Sequence, residues 1–222
     1  MTAAHPPAPP RLYSWAEDLS DAVVHIAGLA VVCIAVPVLI VLAALQRGDL
    51  TAMVGTSVYS GGLIAMILCS ALYNMVRRPG WAWLLQRLDH AAIYLKIAGT
   101  YTAFVLLAGQ GGMLALVVWA AAGVGVLLKA ISPERFRPVA LALYLGMGWA
   151  GVIGGGDLLA ALPGMVVGLM LAGGAIYSLG VGFYLWQGLR FHYTVWHICV
   201  LAATLVFYAA VLVAVISEAP VA

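Results

Sequence analysis

Charged residues are scarce in this chain: Lys, Arg, Asp and Glu together make up 8% of its 222 residues. In a soluble domain about a quarter of the residues are charged, so this shortage argues against a soluble globular protein. The few charges form neither a basic run that would bind nucleic acid nor an acidic tail. We therefore expect no nucleic-acid partner.

Cysteine is also scarce, with Cys33, Cys69 and Cys199 each inside an apolar stretch. An odd number of cysteines without paired spacing argues against both a disulfide framework and a CxxC metal clip. The glycine clusters lack the strand–turn–helix context of a nucleotide-binding loop. Disulfide-rich, zinc-ribbon and nucleotide-dependent proteins are therefore poor matches to this chain.

Apolar residues dominate, at 65% of the chain. One helical crossing of a bilayer needs roughly 20 of them. Seven stretches qualify, at approximately 22–45, 52–76, 90–109, 112–129, 138–156, 163–186 and 193–216. The sequence thus predicts an all-α polytopic membrane protein, a single seven-helix bundle over residues 14–217. Residues 1–13 are a proline-rich lead that we expect to be disordered, and 218–222 form a short tail.

The fifth stretch is the least regular, because Gly154 to Asp157 interrupt it and residues 158–162 could join either neighbour. Lys and Arg support seven crossings rather than six, since eight of them fall on one side of the chain's alternating loops. Arg47 alone falls on the other side, and Lys96 lies within the third stretch. The positive-inside rule then predicts a cytoplasmic N-terminus, an outer C-terminus and a multi-pass protein of the plasma (inner) membrane.

Polar side chains gather at the segment ends on the predicted cytoplasmic side. They are Glu17, Asp21, His25, Ser70, Asn74, Asp89, His90, Tyr193 and His197. Spacings of four residues place several of them on one face of their helix. Capping and snorkelling could account for any single one. The opposite ends carry far fewer, however, so we expect this polar layer to be a functional site.

Four motifs in this layer carry a resemblance to a known family. They are Glu17-x3-Asp21-x3-His25, Cys69-Ser-Ala-Leu-Tyr-Asn74, the run from Arg87 to Thr102, and Trp196-His197. The chain resembles the hemolysin III family, the bacterial members of the progestin and adipoQ receptor group, which is related more distantly to alkaline ceramidases. The resemblance implies a seven-helix protein with a zinc site near the inner leaflet.

Mapped onto this chain, the resemblance makes His197 a zinc ligand and places Asp89 beside the metal-bound water, with Ser70 assisting. The two other ligand positions hold Asn74 and Tyr193 instead of histidine. A catalytic zinc normally keeps three protein ligands. The resemblance therefore implies a degenerate zinc site, in which zinc binding would require recruitment of His25 or His90.

Lys96 is predicted to lie about 9 Å deeper in the membrane than His90, six residues further along a helix. Its side chain either snorkels towards the interface or faces the bundle and pairs with Asp89 or Asp21. In the second case an ammonium charge would replace part of the electrostatic role of a lost metal.

Two classes of function fit these features. The first is a metal-dependent hydrolase of a lipid amide, implied by the ceramidase resemblance, with Asp89 and Ser70 as catalytic residues. The second is a non-enzymatic sensor or regulator of membrane state, or a protein that conducts ions or protons. In either case the expected partners are membrane lipids, including a lipid substrate or a fatty acid.

Overall fold

The computed structural model of the chain describes residues 13–76, 78–132 and 136–217, and within these ranges all regular structure is α-helical. The predicted disordered lead, apart from Tyr13, and the predicted tail lie outside the described residues. The helices are α1 (Trp15–Gln46), α2 (Leu50–Met75), α3 (Pro79–Ala108), α4 (Gly112–Ile131), α5 (Arg137–Gly154), α6 (Gly156–Ala161), α7 (Gly164–Leu185) and α8 (His192–Ile216).

Seven of these helices, all except the short α6, are long and apolar enough to cross a bilayer. The predicted seven-helix class is therefore confirmed, whereas the direction in which the bundle spans the membrane stays a prediction. Helices α1 and α3 begin at Trp15 and Pro79, well before the apolar spans expected from residues 22 and 90. Their first turns are polar but still helical, so a count of apolar residues misses them.

The break after α5 falls in the glycine cluster that the sequence marked as irregular. Helix α5 ends at Gly154, and Gly155 donates its N–H to the carbonyl of Gly151 at 2.9 Å. Residues 156–161 then form α6, so they join neither neighbouring membrane helix. Leu158 of this short helix is completely buried and anchors α6 in the core.

Helix α3 is the centre of the bundle, in contact with α2, α4, α5, α6 and α8. Its closest neighbour is α2, because two glycines let the backbones meet. A Cβ added to Gly62 would lie 3.0 Å from the Cα of Lys96, and one added to Gly99 would lie 3.0 Å from the carbonyl oxygen of Val58. Helix α1 contacts both α2 and α8, so the first and last helices lie side by side.

Helix α1 begins with a capping box. The hydroxyl of Ser14 accepts the N–H of Glu17, and the Glu17 carboxylate accepts the N–H of Ser14 at 2.9 Å. The other carboxylate oxygen accepts the N–H of Phe191 at 3.1 Å. Phe191 precedes α8 and has a φ of 60°, which non-glycine residues seldom adopt. Glu17 thus fixes the start of α1 to the start of α8.

Candidate functional site

Asp21, His25 and His197 form a compact cluster between α1 and α8. Nδ1 of His197 lies 2.5 Å from one carboxylate oxygen of Asp21, and Nε2 of His25 lies 3.3 Å from the other. The two imidazole rings meet edge to face, with their centroids 4.5 Å apart. All three side chains are buried. We call this group the Asp–His cluster.

The Asp–His cluster has the chemistry of a three-ligand zinc site. One potential ligand atom from each residue lies within 4.8 Å of the other two. The contact between Nε2 of His25 and Asp21 does not have hydrogen-bond geometry, so within the described chain this buried nitrogen has no hydrogen-bond partner. Two imidazoles and a carboxylate are a usual ligand set for catalytic zinc. The residues therefore fit a zinc ion, and the spare nitrogen of His25 is the observation that supports it.

Asp89 and Ser70 lie beside the Asp–His cluster but not within it. Ser70 and Asp89 line the same cavity as His25 and His197, and the Asp89 side chain is buried. Asp89 lies in the third turn of α3 rather than at its start, because α3 begins ten residues earlier, at Pro79. The structure thus brings a buried carboxylate and a hydroxyl next to the cluster.

The two positions that lack the family's histidines do not join the cluster as ligands. Asn74 donates its side-chain amide to the carbonyl of Ser70, one turn back on α2, at 2.9 Å. Tyr193 packs its ring against that of His197, with centroids 4.5 Å apart. Of the two histidines considered as replacements, His25 is in the cluster, whereas His90 lies near the ring of Tyr73 instead.

Glu17 shares the side of α1 that contacts α8 with Asp21 and His25, as its spacing predicted, but it is not part of the Asp–His cluster. Its carboxylate is occupied by the capping box and by Phe191. His192 also points elsewhere, since its Nε2 lies 3.3 Å from the Tyr13 hydroxyl. The polar layer therefore contains residues such as Glu17 that join two helices, and a smaller group around the Asp–His cluster that could take part in a reaction.

A cavity of about 190 Å³ extends from the candidate site into the bundle. One face of α3 lines it, with side chains at helical spacing: Asp89, His90, Ile93, Lys96, Ile97, Thr100, Tyr101 and Phe104. The fifteen helical steps from Asp89 to Phe104 span about 22 Å. Half of the hydrocarbon core of a bilayer is about 15 Å thick, so the cavity is long enough for an acyl chain.

Lys96 faces this cavity and does not snorkel, since its side chain is only 3% exposed. Its Nζ lies 4.9 Å from the ring centroid of Tyr177 and 4.6 Å from that of Phe207. Among the described residues no carboxylate lies within ion-pair distance of it. The suggested pairing with Asp89 or Asp21 is therefore wrong, and Asp21 is already engaged by two histidines.

Several residues that line the cavity carried no recognisable signal in the sequence. Tyr177 and Phe207 are aromatic residues inside apolar spans, where packing alone explains them. Lys129 and Arg137 counted only as loop charges, yet both line the cavity. Lys129 is buried, and the Arg137 guanidinium lies 4.8 Å from the ring centroid of Tyr184. Only the folded structure shows that these four residues line the cavity.

Comparison with known proteins agrees with this architecture. Residues 13–208 match the family described as haemolysin-III related. Hemolysin-3 of Bacillus cereus is 33% identical over 91% of this chain and 94% of its own length. The hemolysin-3 homolog of Bacillus subtilis is 32% identical over 90% of this chain and 95% of its own length.

A more distant similarity reaches animal proteins. The human monocyte to macrophage differentiation factor is 27% identical over 69% of this chain and 67% of its own length. The family match, the two Bacillus relatives and the seven apolar helices together identify the chain as a multi-pass membrane protein of the bacterial plasma membrane type. It belongs to the haemolysin-III related family.

Proposed function

We propose that the protein hydrolyses an amide bond in a membrane lipid, with a zinc ion held by the Asp–His cluster. The single observation that carries the proposal is the position of Asp21, His25 and His197 next to Asp89, at one end of an acyl-sized cavity. Zinc bound there would supply Lewis acidity to a water molecule and to the amide carbonyl.

The protein's own side chains would transfer the proton from the attacking water to the departing amine. Asp89 accepts a proton from the attacking water as the oxygen bonds to the amide carbon. When the carbon–nitrogen bond breaks, Asp89 returns that proton to the departing amine. Ser70 lines the cavity with Asp89, and its hydroxyl would donate a hydrogen bond that orients this carboxylate during the reaction. The hydrocarbon part of the lipid lies along the cavity face of α3, where apolar side chains exclude water from the reacting bond.

The test is release of fatty acid from an N-acyl sphingoid lipid by purified protein reconstituted in liposomes. We expect zinc-dependent release that falls by about 10²–10⁴-fold in Asp89→Asn, the loss typical of a missing general base. Asp157→Asn is the matched control, because Asp157 is an exposed acid at the start of α6. Absence of release by the zinc-loaded wild type, or equal rates in both variants, would contradict the proposal.

A second candidate is conduction of protons or cations, favoured by the polar stripe of Asp89, His90 and Lys96 along one cavity wall. Nδ1 of His90 is buried and has no hydrogen-bond partner in the described chain, so this nitrogen is available to a water molecule that would pass protons along the cavity. Flux of a pH-sensitive dye in protein-containing liposomes would distinguish this function. Conduction predicts flux that Asp89→Asn abolishes, whereas hydrolysis alone predicts flux no higher than in empty liposomes.

A further inference from the structure

Lys96 is a buried positive charge for which the described chain supplies no anion. The rings of Tyr177 and Phe207 are within cation–π distance of Nζ. Aromatic faces compensate a buried ammonium only in part. A charge within a membrane helix normally has an opposite charge beside it or marks a ligand pathway.

The two nearby acids do not pair with Lys96. Asp21 contacts His25 and His197 instead. Asp89 and Lys96 share the cavity face of α3, but seven residues separate them by about 10 Å along the helix. Within residues 13–76, 78–132 and 136–217, no carboxylate therefore supplies the anion that Lys96 requires.

The surroundings of Lys96 restrict what that anion can be. The cavity continues past Lys96 towards Phe104 and Leu159 with mainly apolar walls, and the hydroxyls of Thr100 and Tyr101 there already donate to backbone carbonyls. A single ammonium matches a single negative charge, whereas a phosphate monoester carries nearly two. A hydrocarbon chain with one carboxylate matches both the single positive charge of Lys96 and the apolar walls of the cavity.

We propose that Lys96 binds the carboxylate of a single-chain lipid whose hydrocarbon tail occupies the cavity towards Phe104. This binding site lies about 10 Å along α3 from Asp89 and does not depend on hydrolysis, zinc or Asp89. Tyr177 and Phe207 hold the Lys96 side chain towards the cavity axis, so the ammonium faces the bound carboxylate.

The experiment compares dodecanoate with dodecanol, which share one chain length and differ in charge. Binding to purified metal-free protein in nanodiscs is measured by isothermal titration calorimetry for the wild type, Lys96→Met, Lys96→Arg and Lys129→Met. We expect the wild type to prefer dodecanoate. Lys96→Met should weaken dodecanoate binding by at least about tenfold and leave dodecanol unchanged, because only the carboxylate loses a partner. Lys96→Arg and Lys129→Met should keep the preference.

Equal affinity of the wild type for both lipids would overturn the proposal, as would a loss of binding in Lys129→Met but not in Lys96→Met. Acetate is the third ligand: if it displaces dodecanoate at equal concentration, the site takes small anions and the lipid assignment is wrong. Should Lys96→Met not fold, the wild type decides alone. Dodecanoate must then raise its melting temperature more than dodecanol does.

Discussion

His197 and Asp21 are joined by a contact of 2.5 Å between Nδ1 and Oδ1, which links the last membrane helix to the first. The contact gives the carboxylate of Asp21 a partner inside the bundle, where an unpaired charge would be costly. It also fixes the orientation of one imidazole next to a second, that of His25. The pair is therefore both a packing element and the basis of the candidate metal site.

The identity of the metal ligands is the first prediction. We expect wild-type protein to bind about one zinc ion per chain and Asp21→Asn or His197→Ala to lose it, because three ligands are needed. Asn74→Ala and Tyr193→Phe should retain zinc, since Asn74 bonds its own helix backbone and Tyr193 only packs against His197. The measurement is elemental analysis after dialysis against zinc.

The opposite pattern would contradict this assignment: zinc lost in Asn74→Ala and kept in Asp21→Asn. A chelator gives an independent check. It should lower the melting temperature of the zinc-loaded wild type, because a ligand that binds only the folded state stabilises it. The same chelator should leave the melting temperature of Asp21→Asn unchanged.

A second prediction separates Glu17 from the site. Glu17→Ala should lower the free energy of unfolding by about 1–3 kcal/mol, because it removes a capping box and leaves the Phe191 N–H without its acceptor. Zinc content should not change. Glu17→Gln keeps an acceptor oxygen and should lose less stability. Urea titration of detergent-solubilised protein measures the loss, and a Glu17→Ala variant that is stable but zinc-free would show that Glu17 belongs to the site.

The third prediction concerns the close contact between α2 and α3, and it compares alanine substitutions at two neighbouring glycines of α2. Gly62→Ala should destabilise the protein by about 1–3 kcal/mol, since its Cβ would meet the α3 backbone at Lys96 and Leu95. Gly61→Ala is the control, because nothing lies within 4 Å of the added Cβ. Melting temperatures of the two variants decide the matter, and equal values would refute the close approach.

Membrane orientation is a fourth prediction and rests on loop charge. Alkaline phosphatase fused to the C-terminus should be active, because the enzyme folds only outside the cytoplasm. The same enzyme inserted between α2 and α3 should be inactive. Reversed activities would place the N-terminus outside and the candidate site near the outer leaflet.

The sequence predicted the helices and half of the site, for different physical reasons. Long apolar runs specify membrane helices almost by themselves, because a bilayer leaves the backbone few alternatives. Spacing of four residues correctly predicted that Asp21 and His25 share a face. Glu17 also lies on the side of α1 that contacts α8, but its carboxylate serves as a cap, a role that the spacing does not reveal.

The remainder of the site depends on tertiary contacts that local patterns do not encode. Asn74 occupies a ligand position by resemblance to the family, but its amide can bond the carbonyl four residues back, and does so. Lys96 is surrounded by Tyr177 and Phe207, which are distant in sequence and resemble ordinary apolar packing. Only the assembled bundle shows that this lysine has aromatic neighbours and, in the part of the chain that the structure describes, no acid within ion-pair distance.

The pairing of Asp21 with His197 has a consequence for biosynthesis. Helix α1 enters the membrane at the start of translation, whereas α8 is the final helix to be made. Until then Asp21 has no access to His197, and its stabilisation within the bilayer depends on His25 alone. A nascent chain truncated before α8 would thus expose an incompletely paired acid, a feature that membrane quality-control proteases could recognise.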